Sequence, residues 1–184
     1  MRSTILRTVH GIVVAMLLHN AAPALAQPRY GLPPDAYAAF SRWLTTTCVG
    51  DEERALREAL LRHRAQLAPA FRRALTDGPP PQAVREVRAA AEARHAELAR
   101  FPLQQYRIEG VTADDLARFA RVPRQSYVDD QVRRYATGYR ANAAAGLGIV
   151  GGPRDRDALA RLAARKDDPL APAAAEALRT MERR

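Results

Sequence analysis

The strongest constraint on this chain is the way proline and glycine cut it into stretches whose apolar residues recur at three and four positions, without a convincing alternating run. Val84, Val87, Ala91, His95, Leu98 and Phe101 step 3-4-4-3-3 before Pro102, which is the stripe of one helix face stopped by a residue that cannot continue the helix. Tyr37, Phe40 and Leu44 follow Pro33-Pro34 in the same rhythm and stop near Gly50. Leu56, Leu60 and His63 share a face between Asp51 and Arg64, behind the acids Asp51, Glu52 and Glu53 that favour a helix N-terminus. A short helix is expected from about Pro69 to Thr76, ended by Asp77-Gly78-Pro79-Pro80-Pro81. Thr112 with Asp115 resembles a helix start ahead of Leu116 and Phe119. Beyond Pro123 a longer helix carries Val128, Val132, Tyr135 and Tyr139, and Gly151-Gly152-Pro153 breaks the chain. A helix over about Asp155 to Lys166, the turn Asp167-Asp168-Pro169 and a last helix to about Arg179 complete the pattern. No alternating apolar run signals a strand, so the expected fold is all-α. The expected core contains Leu56, Leu60, Val84, Val87, Val132, Tyr135, Leu159, Leu162 and Leu178.

The first residues read as an address. Arg2 and Arg7 precede the apolar run from Gly11 to Leu18, and Ala24-Leu25-Ala26 places small residues where a signal peptidase needs them. Residues 1–26 are therefore expected to be a cleavable Sec-type signal peptide, cut after Ala26, with residues 27–184 forming a single all-helical domain in the periplasm or outside the cell. The apolar run is too short for a bilayer, which needs about 20 residues, and no transmembrane segment is expected after cleavage. Arg2 and Arg7 are not a twin-arginine pair, and no cysteine follows the cleavage site to carry a lipid.

The helices also repeat. Leu67-Ala68-Pro69-Ala70-Phe71-Arg72-Arg73-Ala74-Leu75 matches Leu170 through Leu178 in leucine, Ala-Pro-Ala and Ala-Leu, and the same offset sets Ala55-Leu56 on Ala158-Leu159. A second offset sets Tyr139 through Leu147 against Leu170 through Leu178. Repeated hairpins have a physical reason, since one hairpin cannot bury its stripe alone and stacked ones share a core. The stretch from Tyr139 to Met181 contains Ala144-Ala145-Gly146-Leu147-Gly148, Gly151-Gly152-Pro153, Ala158-Leu159, Leu162, Asp168-Pro169 and Ala174-Ala175-Glu176-Ala177-Leu178. It resembles the short bacterial HEAT-like repeats, more weakly echoed over Asp51–Gly78, and residues 81–122 do not fit the repeat length. The resemblance implies a short α-solenoid or irregular helical array, with repeat hairpins at about 51–77 and 124–182. It also implies a protein–protein contact role, and the family carries no universal catalytic residues.

Charge and motifs then sort the function classes. The chain has 29 Lys+Arg against 20 Asp+Glu, a net charge of +9, and Lys166 is its one lysine. Such a basic chain suggests nucleic acid, but export argues against that partner. Anionic lipid headgroups or other polyanions of the envelope are the alternative to a protein partner, met by Arg62 and Arg64, Arg72-Arg73, Arg133-Arg134 with Arg140, and Arg183-Arg184. Gly146-Leu147-Gly148-Ile149-Val150-Gly151 spells a dinucleotide fingerprint, yet it follows a helical stretch and lacks the strand that fingerprint requires. Its glycines read as a helix terminus. Cys48, His63 and His95 have no paired metal-ligand spacing, and the single cysteine excludes a disulfide framework. Cys48 is expected to be a small buried neighbour of Trp43 and Leu44, with intermolecular pairing or a reactive thiol as the alternative. Asp155-Arg156-Asp157 fits helix capping better than a calcium loop. Asp129-Asp130 with Arg133-Arg134 has ordinary ion-pair spacing. After cleavage only Ser41 and Ser126 remain as serines, with no nucleophile elbow. No catalytic, cofactor-binding or metal-ligating residue is assigned and no cofactor is expected. The chain reads as a non-enzymatic interaction or scaffold module of the cell envelope, with an arginine-mediated polyanion binder second and an unrecognised envelope enzyme third.

Overall fold

The computed structural model describes residues 30–45, 51–100, 112 and 121–183. Seven α-helices and no strands occur among them: α1 Pro34–Thr45, α2 Asp51–Arg62, α3 Arg64–Asp77, α4 Pro81–Arg100, α5 Arg124–Val150, α6 Pro153–Ala163 and α7 Ala171–Glu182. No helix among the described residues is long and apolar enough to cross a membrane. Residues 1–26, Cys48 and the Thr112–Phe119 helix start lie outside the described residues, apart from Thr112 itself, which is exposed and outside any helix.

Two helix bounds differ from expectation for local reasons. Helix α3 begins at Arg64, not near Pro69, and Pro69 lies within it. The amide hydrogens of Gln66 and Leu67 bond to the His63 carbonyl and start the helix upstream. Pro69 sits on the exposed face, where its missing N–H leaves no buried orphan acceptor. Helix α6 begins at Pro153, because proline at the first helical position loses nothing there. Helix α3 ends on Gly78, whose φ of 75° needs glycine and whose N–H closes on the Ala74 carbonyl at 3.0 Å.

The described residues divide into two compact units, and α5 contributes its first half to one and its second half to the other. In the larger unit, residues 30–79 and 136–183, the second half of α5 is enclosed. Ala143, Ala144, Leu147, Ile149 and Val150 are all buried, as are Gly146 and Gly148 between them. A helix segment apolar on every side belongs inside. Phe71 of α3 is fully buried and touches Gly146, where an added Cβ would lie 2.6 Å from the ring. Phe71 in turn meets Phe40 at 4.9 Å between ring centroids, and Phe40 meets Tyr30 edge-on at 4.8 Å. On α7, Ala177 approaches Gly148 so closely that a Cβ there would come within 2.9 Å of the Ala177 Cα. Helix α1 is tied to α5 by a reciprocal pair: Trp43 Nε1 donates to the Asn142 carbonyl at 2.7 Å and Asn142 Nδ2 donates to the Leu44 carbonyl at 3.1 Å.

The repeated positions are buried in matching register. Leu67, Ala68, Phe71 and Ala74 of the first hairpin face inward, as do Leu170, Ala171, Ala174 and Ala177 at the same offset, and so do Leu56 and Leu159. The structure is thus an all-helical array, in which α6 and α7 pack on each other far more extensively than α2 and α3 do.

In the smaller unit, residues 80–135, α4 and the first half of α5 run antiparallel. Arg88 bonds Asp129 at 3.3 Å, Arg124 bonds Glu92 at 2.9 Å and the His95 ring reaches the Val122 carbonyl at 3.1 Å. The expected core is corrected here and at two positions elsewhere. Leu56, Leu60 and Leu159 are buried, but Val84, Val87, Val132, Tyr135, Leu162 and Leu178 are only half-buried. On α7 it is Ala177, not Leu178, that points at the central helix.

Candidate functional site

The larger unit contains two constellations of charged side chains. The first surrounds the α5–α6 corner. Asp155 is the third residue of α6, and its Oδ2 accepts the Gly152 N–H at 2.8 Å, satisfying an amide that the helix leaves unpaired. Its carboxylate is enclosed, at 2% exposure, and receives Arg72 in bidentate fashion, Nε to Oδ1 at 2.5 Å and Nη2 to Oδ2 at 3.3 Å. The hydrogen bond to Asp155 pushes the Arg72 guanidinium above its usual value against the opposing effect of burial. Arg64 donates to the carbonyls of Val150 and Gly151 at 2.9 and 2.8 Å, covering acceptors freed where α5 stops. Gly151 has no room for a side chain, since a Cβ would lie 2.4 Å from the Leu147 carbonyl oxygen. This constellation holds rather than reacts. The carboxylate is saturated with donors, and a guanidinium does not give up its proton.

The second is an open hollow of about 230 Å³ between α2 and α7, lined by Arg57, Glu176, Thr180 and Arg183. Glu176 accepts Arg179 through Nε and Nη2 at 2.8 and 2.5 Å and has Arg183 at 3.6 Å. The Arg179 hydrogen bonds, with the charges of Arg179, Arg183 and Arg57, hold the Glu176 carboxyl below its ordinary range. Arg57 turns its Nε to Glu53 at 2.8 Å, and Thr180 donates its hydroxyl to the Glu176 backbone carbonyl.

The residues singled out in the sequence fall into place differently. Gly146 and Gly148 do not end a helix, as the repeat alignment implied; α5 continues to Val150, and these glycines admit Phe71 and Ala177. His63 precedes α3 in the larger unit, and His95 lies in the smaller one with its ring 5.5 Å from Tyr127. Among the described residues no three of His, Cys, Asp and Glu come together as a metal ligand set. Asp130 pairs with Arg134 at i,i+4, whereas Asp129 takes Gln125 and Arg88, whose hydrogen bonds depress its pKa. Asp155 caps its helix, as the sequence suggested.

The arginine groups are divided among separate tasks. Arg64 and Arg72 hold the α5–α6 corner, Arg140 donates to the Thr76 carbonyl, Arg73 lies over the Tyr30 ring at 5.6 Å, and Arg183 borders the hollow. Nothing in the sequence marks Arg57 and Glu176 as neighbours, because they line one hollow from two different helices. Comparison with protein-family models, with curated proteins and with solved structures finds no match.

Proposed function

We propose that this chain is an exported, non-catalytic helical-repeat protein that serves as a protein–protein interaction or scaffold module in the bacterial cell envelope. The observation that carries this reading is the matching burial of Leu56, Leu67, Phe71 and Ala74 with Leu159, Leu170, Ala174 and Ala177, with charged residues such as Arg57, Glu176, Arg179 and Arg183 on outward faces. Repeat hairpins that share a core in this way present extended surfaces suited to another protein. The chemistry of the two constellations agrees with it: one fixes a corner, and the other is a shallow charged hollow open to solvent.

The test has two parts. Expressed with residues 1–26 in a bacterium, the protein should appear in the osmotic-shock fraction with Gln27 as its first residue; retention in the cytoplasm with residues 1–26 still attached overturns the export reading. Crosslinked capture from an envelope extract should then enrich a reproducible partner set relative to the heat-unfolded chain. Repeated recovery of nothing specific overturns the scaffold reading.

A further inference from the structure

We propose that the hollow between α2 and α7 is the seat of an acidic segment of the partner, with Arg57 and Arg183 each taking one of its carboxylates. This rests on the reading of the chain as a partner-binding module and names the chemistry of that partner.

The hollow already displays the ligand type it accepts. The Glu176 carboxylate sits among Arg57, Arg179 and Arg183, and those guanidiniums lower its proton affinity. Two carboxylates of the chain, Glu176 and Glu53, face three guanidiniums there, so positive charge remains in excess. Glu182 does not remove it, because it pairs with Arg156 at 3.2 Å. The donors are also in excess. Each guanidinium carries five N–H groups, and Arg57 commits only Nε, to Glu53. Among the described residues the Arg57 amino nitrogens have no hydrogen-bond acceptor. Arg183 approaches Glu176 no closer than 3.6 Å, beyond hydrogen-bond range. An open hollow of about 230 Å³ leaves room for carboxylate heads, and its charged and hydroxyl lining does not suit a large apolar ligand. Glu176 acts in this scheme as an internal competitor that keeps the arginines extended while the seat is empty.

The scheme predicts what an unspecific attraction does not. In an NMR titration of the labelled protein at low salt, an acetylated and amidated penta-glutamate peptide should give saturable shifts confined to α2 and the last turns of α7. A penta-lysine peptide should give none there. The variant R57Q/R183Q, verified as folded by circular dichroism, should bind penta-glutamate about fivefold more weakly, as expected for the loss of two exposed charge pairs. E176Q should bind it several-fold more tightly because it frees Arg179 and Arg183. D130N makes the same change in net charge but acts on the Arg134 pair of α5, so it should leave the affinity unchanged. Shifts spread over the whole surface, or equal strengthening by E176Q and D130N, overturn the proposal. Crosslinked capture separates its failure from that of the scaffold reading. If the parent chain and R57Q/R183Q capture the same partner equally well, the scaffold reading stands and this seat is wrong. If the parent chain captures nothing, the scaffold reading itself falls, and this proposal with it.

Discussion

The two units use the same kind of helix to different effect. Helix α4 has a regular 3-4 stripe, yet among the described residues of 80–135 only Ala91 and Val128 join the buried hydrophobic core. In the larger unit Phe40, Leu60, Leu67, Phe71, Leu147 and Leu159 are fully buried around a helix segment with few large side chains. Periodicity makes a helix amphipathic, but burial requires opposing surfaces on more than one side. The second half of α5 receives α1, α3 and α7 through Asn142, Gly146 and Gly148. The hairpin of α4 with the first half of α5 is joined by exposed or half-exposed ion pairs, which each contribute about 1 kcal/mol or less.

A large effect expected from this contrast lies at the α5–α6 corner. Arg72→Ala leaves the enclosed Asp155 carboxylate without its cation and should destabilise the protein by about 3 kcal/mol in urea unfolding. Asp155→Asn should cost much less, because its side-chain oxygen still accepts the Gly152 N–H and Arg72 is half exposed to water. Equal losses would show that the corner depends on the pair itself and not on the buried carboxylate.

Core truncation measures the contrast directly. Leu159→Ala removes a fully buried side chain and should cost about 2–5 kcal/mol, whereas Val84→Ala, half-buried in α4, should cost under about 1 kcal/mol. Comparable losses would mean that the stripe of α4 is as well enclosed as that of α6. The earlier expectation that Leu178 is a core anchor transfers to Ala177.

Glycines within α5 give opposite signs. Gly148→Ala meets the Ala177 backbone and should destabilise by about 1–3 kcal/mol despite the better helix propensity of alanine. Gly138→Ala meets nothing within 4 Å and should stabilise by about 0.5–1 kcal/mol. Thermal unfolding of the two variants reads both signs, and stabilisation by both would refute close packing of α5 on α7.

The smallest effect is an acid one. The folded-state pKa of Glu176 is depressed, so its pairing contributes stability above the unfolded carboxylate value near pH ~4 and loses it as the pH falls through the lower folded value. Glu176→Gln should lower the melting temperature slightly at neutral pH and leave it unchanged well below that value. A difference that persists in strong acid would point to lost packing instead.

Much of the fold was legible in the residues. Pro123 and Gly151-Gly152-Pro153 mark limits that the backbone obeys, and the offset between Leu67–Leu75 and Leu170–Leu178 marks positions with matching burial. Pro69 misled, because a proline on an exposed helix face is tolerated by its surroundings and not by any local signal. The uncharged run from Ala141 to Gly152 was the available sign of a helix enclosed on all sides, and it was masked by glycines that resemble a terminus. The hollow was illegible, since Arg57 and Glu176 are far apart in the chain and ordinary in their own helices.

The sequence by itself determined that this chain is helical, where most of its helices start and stop, and which positions of α2–α3 and α6–α7 match in burial. Those properties reside in φ, hydrogen-bond capacity and side-chain spacing over a few residues. Tertiary structure alone decided which stripes are enclosed, that Gly146 and Gly148 are contact points and that Arg72 answers Asp155 across 83 residues. It also brought Arg57 to the hollow beside Glu176, where helical spacing already places Arg179 and Arg183. Burial and charge pairing depend on what arrives from elsewhere in the chain, and a local pattern carries no record of its distant partner.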